Sequence, residues 1–315
     1  QSGRVFSDDT VTALVQSGDG DALYVATANH GIYVSDDVGR HWRKANTGLP
    51  TLNISCLLAT PPGDDRLFAG TYDQGVVVAH AADLAWSSSN GLPKDSSVTA
   101  LAWDASRPDT VVAVLHKEDV YVSMDAGRNW SALAGLPSET GTVSAIIIAP
   151  QPSWHLVVAT SKGSIYAAAD PFKGWKSVSP AMCGLAVHAL CRSASTTLMA
   201  ATSGGVFSAE AATGHWTDAS MGIQEVQVTC LASDPIRQSL LYAGTTGGMY
   251  VSSDSGSTWR RTALDLASQD IAVIRAGTPL LVGTRRAGLW ASADGNRWRR
   301  IAAKQLSDDV LALMR

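Results

Sequence analysis

The sequence predicts an all-β fold built from seven copies of one four-stranded unit, and three observations lead to it. Seven tryptophans recur at intervals of 39 to 45 residues, at positions 42, 86, 130, 175, 216, 259 and 298. Each lies in the same frame of short apolar stretches, and Gly, Asp and Ser separate the stretches. Four-stranded units of about 40 to 45 residues are typical of blades that close radially around an axis. The sequence therefore predicts a seven-bladed β-propeller of four-stranded antiparallel blades.

The first repeat shows the four strands of the frame most clearly. Its strands A, B and C correspond to residues 11–14, 23–27 and 31–35, and the outer strand D follows Trp42. These stretches alternate and are rich in Val, Ile, Thr and Tyr, which favours strands. We expect a single domain over residues 1–315. Its predicted blades are 10–50, 52–93, 96–137, 141–180, 184–222, 226–263 and 266–302.

The order of the strands also predicts which connections share a face. With A innermost and D outermost, the A–B and C–D turns share one face of each blade, and the B–C loops share the other with the D–A linkers. Three C–D turns read Ser-x-Asp-x-Gly-x-x-Trp, and blade 7 has a form one residue shorter. Their aspartates are Asp37, Asp125, Asp254 and Asp294. Because Asp accepts backbone N–H bonds and Gly supplies a positive φ, the pattern predicts structural turns.

These turns resemble those of the Asp-box, or BNR-repeat, β-propellers, and the resemblance covers essentially the whole chain. The box has decayed in three blades, where Ala81, Asp170 and Ala211 stand at the Asp position. The chain is most similar in character to photosystem II assembly-factor propellers and to bacterial sialidase-like and sortilin-like repeat propellers. That resemblance implies binding on a propeller face, in some families through an arginine patch. It also favours an extracytoplasmic location, although the free thiols predicted below are compatible with the cytoplasm.

Sialidases carry Asp boxes too, but their catalytic residues have no counterpart here. The resemblance to them would imply an arginine triad, a Tyr–Glu nucleophile pair and an Arg-Ile-Pro segment before the first box. The nearest segment is Arg-Val-Phe at residues 4–6, and the B–C loops supply only Arg285 and Arg286. We therefore expect a non-catalytic scaffold that binds a protein partner or assists complex assembly.

The alternative function is a carbohydrate-active module, either a lectin or a glycoside hydrolase. Asp73, Glu118 and Asp119 of the B–C loops of blades 2 and 3 would supply paired carboxylates for glycoside hydrolysis. Exposed aromatic rings beside a convergent carboxylate pair would favour this alternative, and a flat charged face would favour the scaffold.

A second set of candidate binding residues lies in the B–C loops of blades 1, 2 and 3. His30, Asp73 and His116 stand at corresponding positions, and Glu118 follows closely. A metal site would need three of these side chains to converge. Equivalent points on neighbouring blades diverge outward, so we expect separate surface residues, no metal and no cofactor.

Charge is distributed unevenly along the chain. Residues 10–50 and 226–303 carry 12 Lys and Arg against 9 Asp and Glu, a surplus of +3 in blades 1, 6 and 7; the remainder carries 12 against 19, or −7, which gives the total of −4. This basic arc either protects exposed strand edges or docks an acidic partner. Its members are Arg40, Arg43, Lys44, Arg260, Arg261, Arg285, Arg286, Arg297, Arg299 and Arg300.

Composition and charge limit the classes of partner that we expect for this protein. A net charge of −4 lacks the basic surplus of a nucleic-acid binder, and no apolar run approaches the roughly 20 residues of a membrane span. We therefore expect a monomer with a protein partner, no nucleic acid and no membrane span. The chain begins at Gln1 without a Met, which favours a processed or trimmed chain.

The cysteines and the C-terminal segment give two further expectations. Cys56 and Cys230 fall at equivalent strand A positions of distant blades, and strand A separates Cys183 from Cys191, so we expect four free thiols. Residues 304–315 echo the first strand and are predicted to be a closing strand between blades 7 and 1. The alternatives are displacement of residues 11–16, exchange into a second molecule, or the start of further repeats.

Overall fold

The structure is a computed structural model in which every described regular element is a β-strand. It describes residues 11–18, 20–37, 39–60, 63–103, 107–116, 119–137, 141–150, 154–179, 184–193, 197–210, 215–262, 269–285 and 288–301. Within these residues, 28 strands form seven four-stranded sheets. The predicted all-β fold of four-stranded blades is confirmed. The Ala-rich stretch of residues 79–85 would favour helix by propensity, but no helix forms there, because its place in the frame decides the structure.

The chain divides into two compact units, and the first, which comprises residues 1–135 and 300–315, contains three complete sheets. In each sheet the strands follow the chain order and are antiparallel. Blade 1 comprises β1 (Val11–Gln16), β2 (Leu23–Thr27), β3 (Gly31–Ser35) and β4 (Arg43–Lys44); blade 2 comprises β5 (Ile54–Ala59), β6 (Arg66–Thr71), β7 (Val76–His80) and β8 (Ser87–Ser88); blade 3 comprises β9 (Val98–Trp103), β10 (Val111–Leu115), β11 (Val120–Ser123) and β12 (Ser131–Ala132).

The second unit, Leu136–Arg299, contains four sheets built in the same strand order, except for Arg300 and Ile301 at the end of the last strand, which are assigned to the first unit. Blade 4 comprises β13 (Val143–Pro150), β14 (Trp154–Thr160), β15 (Ile165–Ala168) and β16 (Lys176–Ser177); blade 5 comprises β17 (Val187–Ser193), β18 (Thr197–Thr202), β19 (Gly205–Glu210) and β20 (Thr217–Asp218). Blade 6 comprises β21 (Val228–Ser233), β22 (Leu241–Thr245), β23 (Gly248–Ser252) and β24 (Arg260–Arg261); blade 7 comprises β25 (Ile271–Arg275), β26 (Leu280–Thr284), β27 (Leu289–Ser292) and β28 (Arg299–Ile301).

Burial separates the inner strands from the outer one. Strands β2, β10, β22 and β26 are buried at every residue, whereas β4, β8, β12, β16, β20 and β24 are exposed at both of theirs. Strands buried on both faces read as continuous apolar runs, which explains the composition of strand B. The short outer strand leaves its polar side chains in water, and that is where the predicted basic residues lie.

Strand A carries a bulge at its second residue, and this residue links neighbouring blades. Pairing shifts there in every blade. In the first unit Thr12 Oγ1 donates to Ile54 O at 2.8 Å, and Ser55 Oγ donates to Val98 O at 2.5 Å. The same bond joins β21 to β25 in the second unit. In blade 5 this position is His188.

The B–C loops and D–A linkers share a face, as the strand order predicts. Gly31 N donates to Leu52 O in the first unit, and Arg285 N donates to Asp270 O in the second, each at 3.0 Å. In six blades strand B ends in a Thr whose hydroxyl donates to a carbonyl near the start of strand C. These residues are Thr27, Thr71, Thr160, Thr202, Thr245 and Thr284.

Three of the cysteines are buried and form no disulfide, namely Cys56, Cys191 and Cys230, which confirms the prediction for them. Cys183 and the predicted closing strand 304–315 lie outside the described residues. In the described part of the chain no helix has the length and apolar character needed to cross a membrane.

Candidate binding surfaces

The three full C–D turns are closed by their aspartates. Asp254 Oδ1 accepts from Ser252 Oγ at 2.7 Å and from Thr258 N at 2.9 Å, and its Oδ2 accepts from Thr258 Oγ1 at 2.5 Å. The hydrogen bonds from Thr258 lower the pKa of Asp254 to about 2. Asp37 and Asp125 make the same bonds, and their pKa values are lowered as well. In each full turn the residue before the Trp therefore binds the Asp with both its backbone and its side chain.

The shortened turn of blade 7 differs at that residue. Asp294 Oδ1 accepts from Ser292 Oγ at 3.1 Å and from Asn296 N and Arg297 N, both at 2.9 Å. Those backbone bonds lower the pKa of Asp294, the bond from Arg297 most. Among the described contacts, the guanidinium of Arg297 makes no bond to Asp294, so this side chain is not used to close its turn.

A pocket of about 280 Å³ lies beside the shortened turn. Apolar atoms of Pro279, Ala291 and Trp298 contribute to its lining, and Arg297 and Arg299 flank it. The indole Nε1 of Trp298 is buried and has no hydrogen-bond acceptor among the described residues. The pocket lining thus combines apolar residues with two arginines.

The tryptophans at the repeat position differ in which carbonyl accepts their indole N–H. Trp42 and Trp130 donate to the Gly carbonyl of their own full turn, and Trp86 and Trp259 donate to a carbonyl of the preceding blade. Of the described tryptophans, those whose indole N–H is buried without an acceptor are Trp216 and Trp298. Both belong to blades whose C–D turn departs from the full form.

In the second unit three arginines of the predicted basic arc are exposed and have no carboxylate partner among the described residues: Arg260 on β24, Arg299 on β28, and Arg297. Arg40 of the first unit is likewise exposed without such a partner. Arg43 lies 3.5 Å from Asp36 in the first unit. The arc residues placed as exposed are Arg40, Arg43, Lys44, Arg260, Arg261, Arg285, Arg297, Arg299 and Arg300, and Arg286 lies outside the described residues.

Two other arc residues are engaged in contacts on blades 6 and 7. Arg261 donates to Gly247 O and lies 3.5 Å from Glu225 Oε1. Glu225 also accepts from the hydroxyl of buried Tyr250, whose pKa is raised by burial and by this bond. Arg285 Nε lies 3.5 Å from Asp270 Oδ2. Asp270 is the linker residue whose carbonyl accepts the backbone N–H of Arg285. These arginines therefore fix the loops of the B–C face.

The B–C face of the first unit carries the histidines and Asp73. His30 and His116 are exposed, and Glu118 lies outside the described residues. Asp73 Oδ2 lies within 3.4 Å of the Thr51 hydroxyl and the Asn53 amide, and its Oδ1 is buried without a partner. No group of three or more His, Cys, Asp or Glu side chains in the described ranges is arranged to hold a metal ion.

Exposed apolar side chains accompany Asp73 on this face. Tyr72 is 49% exposed and Leu52 is 42% exposed. Tyr72 N donates to Asn53 O at 3.0 Å, which holds the loop against the linker before β5. Sequence reasoning selected Asp73 and missed this neighbouring ring, although the Tyr-Asp pair of the B–C loop is visible in the sequence.

A second polar cluster lies in the second unit and includes His188. The His188 Nε2 and the Asp270 Oδ1 are both buried without a hydrogen-bond partner. Burial and the charge of Arg285 lower the pKa of His188. This histidine occupies the bulged position that bears a hydroxyl in most blades, and sequence reasoning missed it because its role depends on packing.

A cleft of about 300 Å³ lies between blades 1 and 2 on the C–D turn face of the first unit. Asp21, Asp65 and Arg66 are among its lining residues. Arg66 binds Asp64 and lies 3.1 Å from Asp109 Oδ1, and the bond to Asp64 raises its pKa. The cleft is polar and of mixed charge, and both of its arginines, Arg43 and Arg66, are paired with carboxylates.

Comparison with solved structures identifies the fold. No family model matches the chain, and no curated protein does. YCF48 from Cyanidioschyzon merolae matches with a TM-score of 0.65 at 15% identity, over 90% of this chain and 93% of that one. A structure described as YCF48 bound to D1 peptide matches with a TM-score of 0.68 at 15% identity, over 90% and 92%. The chain has the seven-bladed β-propeller fold.

An enzyme shares this propeller fold. The GH74 xyloglucanase from Xanthomonas campestris matches with a TM-score of 0.71 at 16% identity, over 93% of this chain. The match covers 53% of the xyloglucanase, so this chain spans about half of that enzyme. At such identities the likeness establishes the fold, and the side chains must carry any argument about function.

Proposed function

We propose that this protein is a non-catalytic Asp-box propeller that binds an acidic segment of a protein partner. The observation that carries the proposal is the set of three exposed arginines of the second unit that have no described carboxylate partner, Arg260, Arg297 and Arg299. A similar fold is found in YCF48, which has been solved with a D1 peptide. Exposed basic side chains accelerate encounter with an acidic partner and make binding depend on salt.

Protection of the sheet edge is the competing explanation for these charges. Arg260 and Arg261 lie on β24, the outermost strand of blade 6, and pair with Val251 and Tyr250 of β23. Charged side chains on an edge strand oppose pairing with another sheet. Edge protection predicts aggregation when the charge is removed, whereas docking predicts slower partner association when the charge is reversed.

The test of docking is charge reversal with a charge-matched control. The variant Arg260→Glu/Arg297→Glu/Arg299→Glu is compared with Lys94→Glu/Arg128→Glu/Lys176→Glu, which changes exposed residues of blades 2, 3 and 4 by the same net charge. A partner is first isolated by affinity capture from the native source, and its association rate is then measured by surface plasmon resonance at several salt concentrations. We expect the first variant to reduce the low-salt association rate about tenfold or more. Equal rates for the two variants would contradict docking.

The second candidate function is carbohydrate binding on the B–C face of the first unit. The half-exposed Tyr72 ring next to Asp73 favours it, as aromatic rings offer apolar contact area with a polar edge. Incubation with xyloglucan and with sialosides, followed by analysis of reducing ends, tests catalysis. Turnover that Asp73→Asn abolishes would replace the scaffold by a glycoside hydrolase.

A further inference from the structure

We propose that the pocket beside the shortened turn of blade 7 recognises an acidic residue of the partner together with an adjacent apolar side chain. The inference rests on the proposed function and gives it a specific site. Four features of the second unit support it: the geometry of the turn, the free guanidinium of Arg297, the buried indole donor, and the lining of the pocket.

The missing residue changes how the turn packs. In the full turns of blades 3 and 6 the Gly packs onto the preceding blade: a Cβ at Gly127 would lie 2.6 Å from Phe68 Cε1, and one at Gly256 would lie 2.4 Å from Met199 Cε. In blade 7 one residue is absent between Asp294 and the Gly. Among the described residues, a Cβ at Gly295 would meet a Leu side chain of its own blade, at 3.9 Å. The shortened turn therefore lacks the contact with the preceding blade that these two full turns make.

The same change releases a cation. His41, Asn129 and Thr258 stand directly before the Trp of the full turns and bind the Asp Oδ2 with their side chains, at 2.6, 2.7 and 2.5 Å. Arg297 takes that place in blade 7 and donates only its backbone N to the Asp, at 2.9 Å. Arg297 is one of the residues that line the pocket, as is Arg299 on the other side of the Trp in the chain.

The indole of Trp298 adds a donor that lacks an acceptor. Most buried donors in proteins are satisfied, so an unsatisfied one calls for an explanation. The Nε1 atom is closed to solvent, so a ligand oxygen reaches it only if the indole moves on binding. Trp298 contributes to the pocket as one of its lining residues.

The lining selects the chemistry of the occupant. Two guanidinium groups favour a carboxylate, which arginine binds through paired N–H donors. Pro279, Ala291 and the indole of Trp298 favour an apolar neighbour. A volume of about 280 Å³ is below that of most drug-sized ligand sites, so it suits one or two side chains. A peptide alternating acidic and apolar residues meets all three conditions.

The experiment measures binding of a fluorescein-labelled peptide of alternating leucine and glutamate by fluorescence anisotropy. The decisive variant inserts one Ser between Asp294 and Gly295, which restores the spacing of Asp254 and Gly256 and keeps every arginine. We expect the insertion to abolish binding without lowering the unfolding midpoint. Arg297→Gln and Arg299→Gln should each weaken the affinity about tenfold, equivalent to about 1.4 kcal/mol.

Controls separate pocket recognition from general charge attraction. The peptide with glutamine in place of glutamate should not bind, and Trp298→Phe should weaken binding whereas Trp216→Phe should not. The Phe variants and single Arg variants keep the test valid if the insertion variant fails to fold. Parent-like binding by the folded insertion variant, or binding only of a phosphorylated peptide, would overturn the pocket. In that case a reduced partner association rate in the Arg260/Arg297/Arg299 reversal would leave the proposed function intact, and an unchanged rate would refute both.

Discussion

Replacing Asp254 with alanine tests how much one full C–D turn contributes to stability. The carboxylate accepts three hydrogen bonds, from Ser252 Oγ, Thr258 N and Thr258 Oγ1. A hydrogen bond contributes about 0.5 to 1.5 kcal/mol net, and because Asp254 and Thr258 are exposed, water replaces part of each. We therefore expect Asp254→Ala to lower the free energy of unfolding by about 1 to 2 kcal/mol.

Urea denaturation followed by tryptophan fluorescence measures this change. With a denaturant slope of about 3 kcal/mol per molar, the midpoint should fall by about 0.5 M. Ser253→Ala is the matched control, because Ser253 is an exposed neighbour with no side-chain hydrogen bond among the described contacts. Equal midpoints for Asp254→Ala and the parent would refute the structural role of the turn.

The pH dependence of the difference provides a second check. The pKa of Asp254 falls from an ordinary value of 3.8 to about 2 in the folded protein, so the unfolded chain binds the proton more readily. A lowered folded pKa contributes stability above the unfolded value and loses it as pH falls through the folded one. The difference between Asp254→Ala and the parent should be constant above about pH 5 and shrink as pH falls through 3.8 towards 2. A difference that persists unchanged at pH 2 would assign the effect to packing.

Three further predictions concern the core and the backbone. Gly91→Ala should destabilise the protein far more than Gly63→Ala in the same urea assay. Both glycines have φ near +90°. A Cβ at Gly91 would lie 2.3 Å from a backbone carbonyl oxygen, whereas a Cβ at Gly63 would meet nothing within 4 Å. Cys56, whose pKa burial raises to about 11, should resist a thiol reagent at about pH 8 until the protein unfolds; fast labelling of folded protein would contradict this. His188 has a lowered pKa, so the folded state disfavours its proton and stability should fall as pH drops below the ordinary value of 6.5. His188→Gln should reduce that acid sensitivity, and parallel pH profiles of variant and parent would count against it.

Much of the fold follows from the sequence because it depends on repetition along the chain. The period of the tryptophans fixes the length of each blade, and the alternation of apolar residues fixes four strands within it. Strand order then determines which loops share a face, and the bonds from Gly31 to Leu52 and from Arg285 to Asp270 agree with that assignment. These are local features, repeated seven times, so they can be predicted from the sequence without knowledge of interatomic distances.

The candidate sites required the tertiary structure, because they depend on contacts between residues far apart in the chain. Arg260 and Arg261 are adjacent and alike in sequence, yet Arg261 is bound to Glu225 and a loop carbonyl while Arg260 has no described carboxylate partner. The one-residue shortening before Gly295 was visible in the sequence, but the pocket beside it and the unsatisfied indole of Trp298 were not. Whether a turn fills the space above the neighbouring strand is decided by interatomic distances across blades, and only the packed structure fixes those distances.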